Sequence, residues 1–227
     1  MCIIAYIPAG LEISEDQFNE CWDHNSDGGG FMYATGEELH IHKGFMTKAD
    51  MKKAYFEIGR SFPRVLHFRI GTHGKNDPLN THPFRITNNI GFVHNGIINE
   101  TADNKSDHSD TWHFNEQILK PLAKDNGKFY NDPIIQRLIE KFIGYSKLVF
   151  LTKTGKAKIF NENAGNWHEG IWFSNTSWQP RVATPVPSTW VQRQERKQYS
   201  FPEKTYYPQP TTPTNSIYEE FDYRSEE

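Results

Sequence analysis

The first residues and four short polar stretches hold residue types that could do chemistry. In "MCIIAYIPAG" a cysteine stands directly behind the first methionine. If Met1 is removed, Cys2 carries both a thiol and a free α-amine. The thiol is a nucleophile, and an α-amine with an unperturbed pKa of about 7.7–8.0 is a usable base at neutral pH, unlike a lysine at about 10.4. The competing role is a small apolar residue opening a buried strand. In "HFRIGTHG" (67–74), strand alternation puts His67 and Arg69 on one face. An arginine among apolar neighbours requires an anion, either an internal carboxylate or the carboxylate of a ligand, which the guanidinium fork grips in bidentate fashion.

"HNGIIN" (94–99) contains Asn95-Gly96. That dipeptide makes a turn. It can also aim an amide and a backbone N–H at one point, as an oxyanion hole requires. "SDT" (109–111) opens a helix, so Asp110 either complements the helix dipole or captures an ammonium group. "HNSDGGGF" (24–31) reads as a tight turn with left-handed backbone at its glycines. Together these supply a nucleophile, a base, two oxyanion donors, and opposite charges for the two ends of a free amino acid. That inventory suits hydrolysis of the side-chain amide of glutamine.

The elements that must position these residues are of mixed type. "CIIAYI" reads as a buried strand, and Ser14 to Asp23 as a helix with the capping-box pair Ser14 and Gln17. "GGFMYAT" and "ELHIHKG" form a hairpin turning at Gly36. Thr47 to Arg60 is a helix with Met51, Ala54, Tyr55 and Ile58 on one face. "RVLHFRIGT" and "NIGFVHNGII" are strands joined by a polar, proline-containing loop. Ser109–Leu122 and Pro133–Phe142 are helical, "KLVFLTKTGKAKIF" is a hairpin turning at Thr154-Gly155, and "GIWFSN" closes the ordered part. This order predicts a layered α+β fold over residues 1–179. Residues 180–227 hold seven of the 13 prolines and almost no aliphatic side chains, the composition of a disordered Pro/Tyr/Gln-rich tail.

Composition narrows the function classes. A net charge of −3 over 227 residues argues against a nucleic-acid surface. No apolar run approaches the ~20 residues of a membrane span, and no secretion signal opens the chain, so the expected location is the cytoplasm. Cys2 and Cys21 are the two cysteines. A bridge between them is conceivable, but free thiols suit a cytoplasmic chain better.

These motifs, in this order and spacing over about residues 2–175, resemble the class II glutamine amidotransferases, members of the N-terminal-nucleophile hydrolases. The family's Met-Cys start is present, Asp27-Gly28-Gly29-Gly30 is similar to its Asp-Gly-x-Gly turn, and "HFRIGTHG" to its H-x-R-x-A-T-x-G stretch, with Gly71 for alanine. "NTHPF" (80–84) resembles its Asn-x-x-Pro segment, "HNGIIN" fits H-N-G-x-I-x-N at every fixed position, and Ser109-Asp110-Thr111 fits S-D-T. The chain departs from the family at Ile3, where many members have glycine, at His24-Asn25-Ser26 and at Trp112.

The resemblance implies a four-layer αββα sandwich. It implies Cys2 as nucleophile, Asn95 and Gly96 as oxyanion hole, Arg69 for the substrate carboxylate and Asp110 for its amino group. Thr72, His73 and Gly74 would line the pocket, with Gly28 and Gly29 close by. It implies glutamine as substrate. Typical members attach a synthetase or transferase that consumes the ammonia; here the expectation departs from the family, to a stand-alone domain with no cofactor and no metal, whose ammonia passes to a separate acceptor enzyme. Three other readings stay open: a hydrolase of another amide or γ-glutamyl compound, a metal hydrolase using His40-x-His42, and a binding module that has lost turnover.

Overall fold

The computed structural model describes residues 1–71, 74–103 and 105–180; the expected tail therefore lies outside the described residues, apart from Pro180. Among the described residues, ten strands form two antiparallel sheets. The larger contains β1 (Ile3–Ile7), β2 (Gly29–Ala34), β3 (Leu39–Phe45), β4 (Arg64–Phe68), β9 (Asn166–His168) and β10 (Ile171–Phe173), in the order β3-β2-β4-β1-β10-β9. The smaller is β5 (Phe84–Thr87), β6 (Ile90–Asn95), β7 (Lys147–Thr152) and β8 (Ala157–Phe160), in chain order.

Strand alternation sorts the apolar side chains into three cores. Ile3, Ala5 and Ile7 of β1, with Leu66 and Phe68 of β4, pack beneath α1 (Glu15–His24) and α2 (Lys48–Phe56), meeting Phe18, Trp22, Met51 and Tyr55. The intervening positions Ile4 and Val65 face the other way and meet Val93, Val149 and Leu151 of the smaller sheet. The outer face of that sheet, Phe92, Leu148 and Phe150, packs under α3 (Asp110–Phe114), α4 (Lys120–Asp125) and α5 (Pro133–Ile143) through Phe114, Ala123 and Ile139. Each fully buried Phe of these cores contributes roughly 1.5–3 kcal/mol of burial free energy. Helix, sheet, sheet, helix is the αββα sandwich that the family resemblance implies.

Local signals account for most elements. Ser14 accepts from the N–H of Gln17, whose side chain accepts from the N–H of Ser14, completing the box that starts α1. The hairpins at Gly36 and Thr154-Gly155 form as expected.

Three expectations need correction. The helix expected to reach Arg60 stops at Phe56, because the chain turns through Gly59 at φ +75°. The helix expected over Ser109–Leu122 is interrupted by a π turn at Asn115–Leu119, just ahead of Pro121, which has no N–H to donate. The polar loop before "NIGFVHNGII" contains β5, whose Phe84 and Ile86 alternate into the core while Arg85 stays exposed.

Candidate active site

Cys2 sits one residue before β1, whose register against β4 pairs Ile3 with Phe68. Its Sγ therefore reaches the backbone just past β4. The N–H of Ile70 donates to Sγ at 3.3 Å, and the thiol points at the Ile70 carbonyl at 3.4 Å. Burial pushes the thiol pKa up, opposed by the Ile70 N–H, the Arg69 guanidinium and the chain's amino terminus. A thiol so placed is protonated at neutral pH and needs a base to become a nucleophile.

Asn95 ends β6 in the space between the sheets. Its Nδ2 lies 2.8 Å from Ser174 Oγ, which also accepts the Ile4 N–H at 2.8 Å. The next residue, Asn175, donates from Nδ2 to the Cys2 carbonyl at 2.7 Å. Ser174 and Asn175, just past β10, thus tie Cys2 and the strand that follows it to the oxyanion candidate. As placed, Asn95 Oδ1 is buried without a partner among the described residues. Turning the amide over would let the Ser174 hydroxyl donate to Oδ1 and leave the NH₂ unspent. Amide orientation is assigned from such networks. Gly96, at φ +145°, is required for a second reason: a Cβ there would overlap the Ser146 side chain.

Cys2, Asn95 and Gly96 all border one cavity of 340 Å³, which Ile143, Gly144 and Ser146 also line. Arg69 and Asp110 are outside that lining. Arg69, 3% exposed, donates from Nη1 to Asn76 Oδ1 at 2.8 Å. Both Asp110 oxygens accept backbone N–H groups, Oδ2 from Ile98 and Oδ1 from Thr111, each at 2.8 Å. The sulfur and the two oxyanion candidates are thus brought together. The two charged candidates are each engaged by the protein nearby, Arg69 close enough to act on the thiol electrostatically.

Thr72 and His73 lie outside the described residues. Gly74, at φ +72°, packs against the backbone of His108 and Ser109 ahead of α3. Asn80 of "NTHPF" ties that junction: fully buried, it accepts the Ser109 N–H at 2.8 Å and donates to the carbonyls of Asp107 and Lys75 at 2.8 and 3.0 Å. The Asp27–Gly28 turn is strapped to the same region. Gly28 O accepts the Arg69 N–H, Asp27 N–H donates to Arg69 O, and Asp27 Oδ2 accepts the Gly71 N–H. At Gly29 and Gly30 a Cβ would strike the carbonyls of His67, His82 and His42, so these glycines serve the close approach of the chain. His40 and His42 stack on Tyr33 at 4.6 and 5.8 Å. Among the described residues no group of three or more His, Cys, Asp or Glu is placed to hold a metal.

Motif reading did not find Ser174, Asn175 or Lys147. The two local hints were a polar pair ending the apolar "GIWF" and a lysine opening the fully buried β7.

No family model matches the chain. A curated relative, the glutamine–fructose-6-phosphate aminotransferase (isomerizing) of Helicobacter pylori, is 26% identical over 137 residues, 55% of this chain. The chain spans about a fifth of that relative's length, 22%. Two solved structures cover 76% of this chain and 41% of their own, each with a TM-score of 0.48. One is the glutamine phosphoribosylpyrophosphate amidotransferase of B. subtilis with ADP and GMP, 15% identical; the other is titled an allosteric regulatory enzyme of purine biosynthesis, 18% identical. In its motifs, its layers and this curated relative, the chain resembles the class II glutamine amidotransferases of the N-terminal-nucleophile hydrolase superfamily.

Proposed function

We propose that this domain hydrolyses the side-chain amide of glutamine with Cys2 as nucleophile, releasing ammonia and glutamate. The observation that carries this reading is the single cavity bordered by Cys2, Asn95 and Gly96. Removal of Met1 frees the Cys2 α-amine, which takes the proton that burial holds on the thiol. Sulfur attacks the carboxamide carbon, and the oxyanion forms against the Asn95 amide and the Gly96 N–H. The C–N bond breaks as the α-amine returns its proton to the leaving nitrogen. Water then cleaves the thioester and restores the thiol. Arg69 binds the substrate carboxylate and Asp110 its ammonium, with Thr72, His73 and Gly74 as the adjoining wall. The ammonia passes to a separate acceptor enzyme in the cytoplasm.

The test is glutamate release together with alkylation of Cys2 by a glutamine-like electrophile, on protein whose mass shows Met1 removed. Turnover and labelling are expected; such a sample showing neither overturns the reading. A second reading, an amidase for a different carboxamide, draws on Asp110, whose two oxygens already accept backbone N–H groups. It predicts that an amide lacking the α-ammonium is cleaved as fast as glutamine.

A further inference from the structure

The cavity beside Cys2 contains a charge that the proposed reaction does not use. Lys147 opens β7 directly across from Asn95, so both side chains enter the space between the sheets at the same end. Lys147 is 9% exposed and lines the cavity, and its ammonium makes no hydrogen bond or ion pair with any described residue. Burial lowers its pKa, the sign of an ammonium that has lost water without gaining an anion. Lys141 and Glu100, both exposed, add one charge of each sign to the lining, and the chain's amino terminus adds a positive charge beside the thiol, so the interior is positive, with Lys147 as its buried side-chain cation. Arg69 is not part of this wall. The space, 340 Å³, suits a molecule the size of an amino acid or smaller.

We infer that Lys147 makes this cavity a subsite for a small carboxylate, bound beside the thiol and separately from the group that Arg69 would hold. The competing role for Lys147 is to answer the partial negative charge at the carbonyl end of α5, where Gly144 borders the same space. The two roles are distinguished by a matched pair of thiol reagents, neutral iodoacetamide and anionic iodoacetate, with labelling read by mass at the Cys2 peptide because Cys21 is buried. The readout is the iodoacetate-to-iodoacetamide rate ratio on the full chain, for wild type, Lys147→Gln and Lys147→Arg.

The ratio is expected to fall about fivefold or more in Lys147→Gln, an effect the size of one nearby charge, and to be retained in Lys147→Arg. Acetate and glycine should slow iodoacetate labelling saturably in wild type and not in Lys147→Gln. An unchanged ratio in a folded Lys147→Gln, or lost stability with an unchanged ratio, overturns the inference in favour of the helix-end role. The measurement does not involve glutamine. Absence of glutaminase activity would sink the proposed function and leave this result standing.

Discussion

The proposed reacting end of this site and its proposed gripping end are built differently. Cys2, Asn95 and Gly96 stand at strand ends, fixed by register and by one buried serine, and open onto a shared cavity. Arg69 and Asp110 stand where strands give way to loops and helices, and their polar atoms are spent on Asn76, Ile98 and Thr111. Bond-making chemistry requires placement to a fraction of an ångström, which paired strands provide. Recognition of a substrate's charged ends tolerates loops whose internal hydrogen bonds can be exchanged for ligand contacts.

The largest expected effect breaks the reacting end outright. Cys2→Ser should cut glutamate release by roughly a thousandfold or more, since an alcohol in this buried site is far less nucleophilic than a thiol. Thermal unfolding should barely move, because Cys2 lies outside the three cores. Full activity in the serine variant would remove the thiol from the mechanism.

The gripping end can be loosened alone. Asn80→Ala would leave the Ser109 N–H and the Asp107 and Lys75 carbonyls without their partner, a loss of about 3 kcal/mol in unfolding free energy. Because these bonds hold the junction ahead of Asp110, the KM for glutamine should rise in the same variant. Unchanged stability in denaturant titrations would show that the knot is dispensable.

Local signals made much of this legible before any coordinates. The Ser14–Gln17 box, the Gly36 and Gly155 turns and the periodicity of α5 each act within a few residues. β5 and β9 were not legible: each is four residues or fewer and exists through its pairing with β6 or β10. The same division holds at the site. Cys2, Asn95 and Gly96 lie in short motifs, whereas Ser174 acts across 170 positions to Ile4 and 79 to Asn95. No periodicity encodes a hydrogen bond between two sheets.

Ser174 sharpens the comparison from the reacting side. Ser174→Ala should lower kcat for glutamine about a hundredfold with KM nearly unchanged, the pattern of an interaction made in the transition state. Ser174→Thr, which keeps the hydroxyl, should recover much of it. Iodoacetamide labelling of Cys2 should be unaffected in both, since the thiol's own contacts are with Ile70. A rise in KM at constant kcat would instead assign Ser174 to binding.

The smallest effect lies beneath both ends, where His67, His82 and His94 are buried together. The rings of His67 and His82 are 3.9 Å apart, and both His82 nitrogens lack a partner among the described residues. Burial lowers all three pKa values: His67 to about 3 despite the His94 carbonyl, His94 to about 4 despite nearby Asp110, and His82 likewise downward. A histidine held neutral when folded binds its proton only after unfolding. Below the unfolded value of about 6.5 the unfolded chain takes up protons that the native chain refuses, and stability falls with falling pH until the folded value is reached. The expected loss is about 1 kcal/mol per histidine for the first unit below 6.5, and none is expected on raising pH above 7.5. His82→Phe keeps a ring in the stack and removes one titrating group, so the slope of unfolding free energy between pH 6.5 and 5.5 should drop by about a third. An equal slope in variant and wild type would mean that His82 takes its proton in the folded state, and that the floor joining the two ends is wetter than its burial indicates.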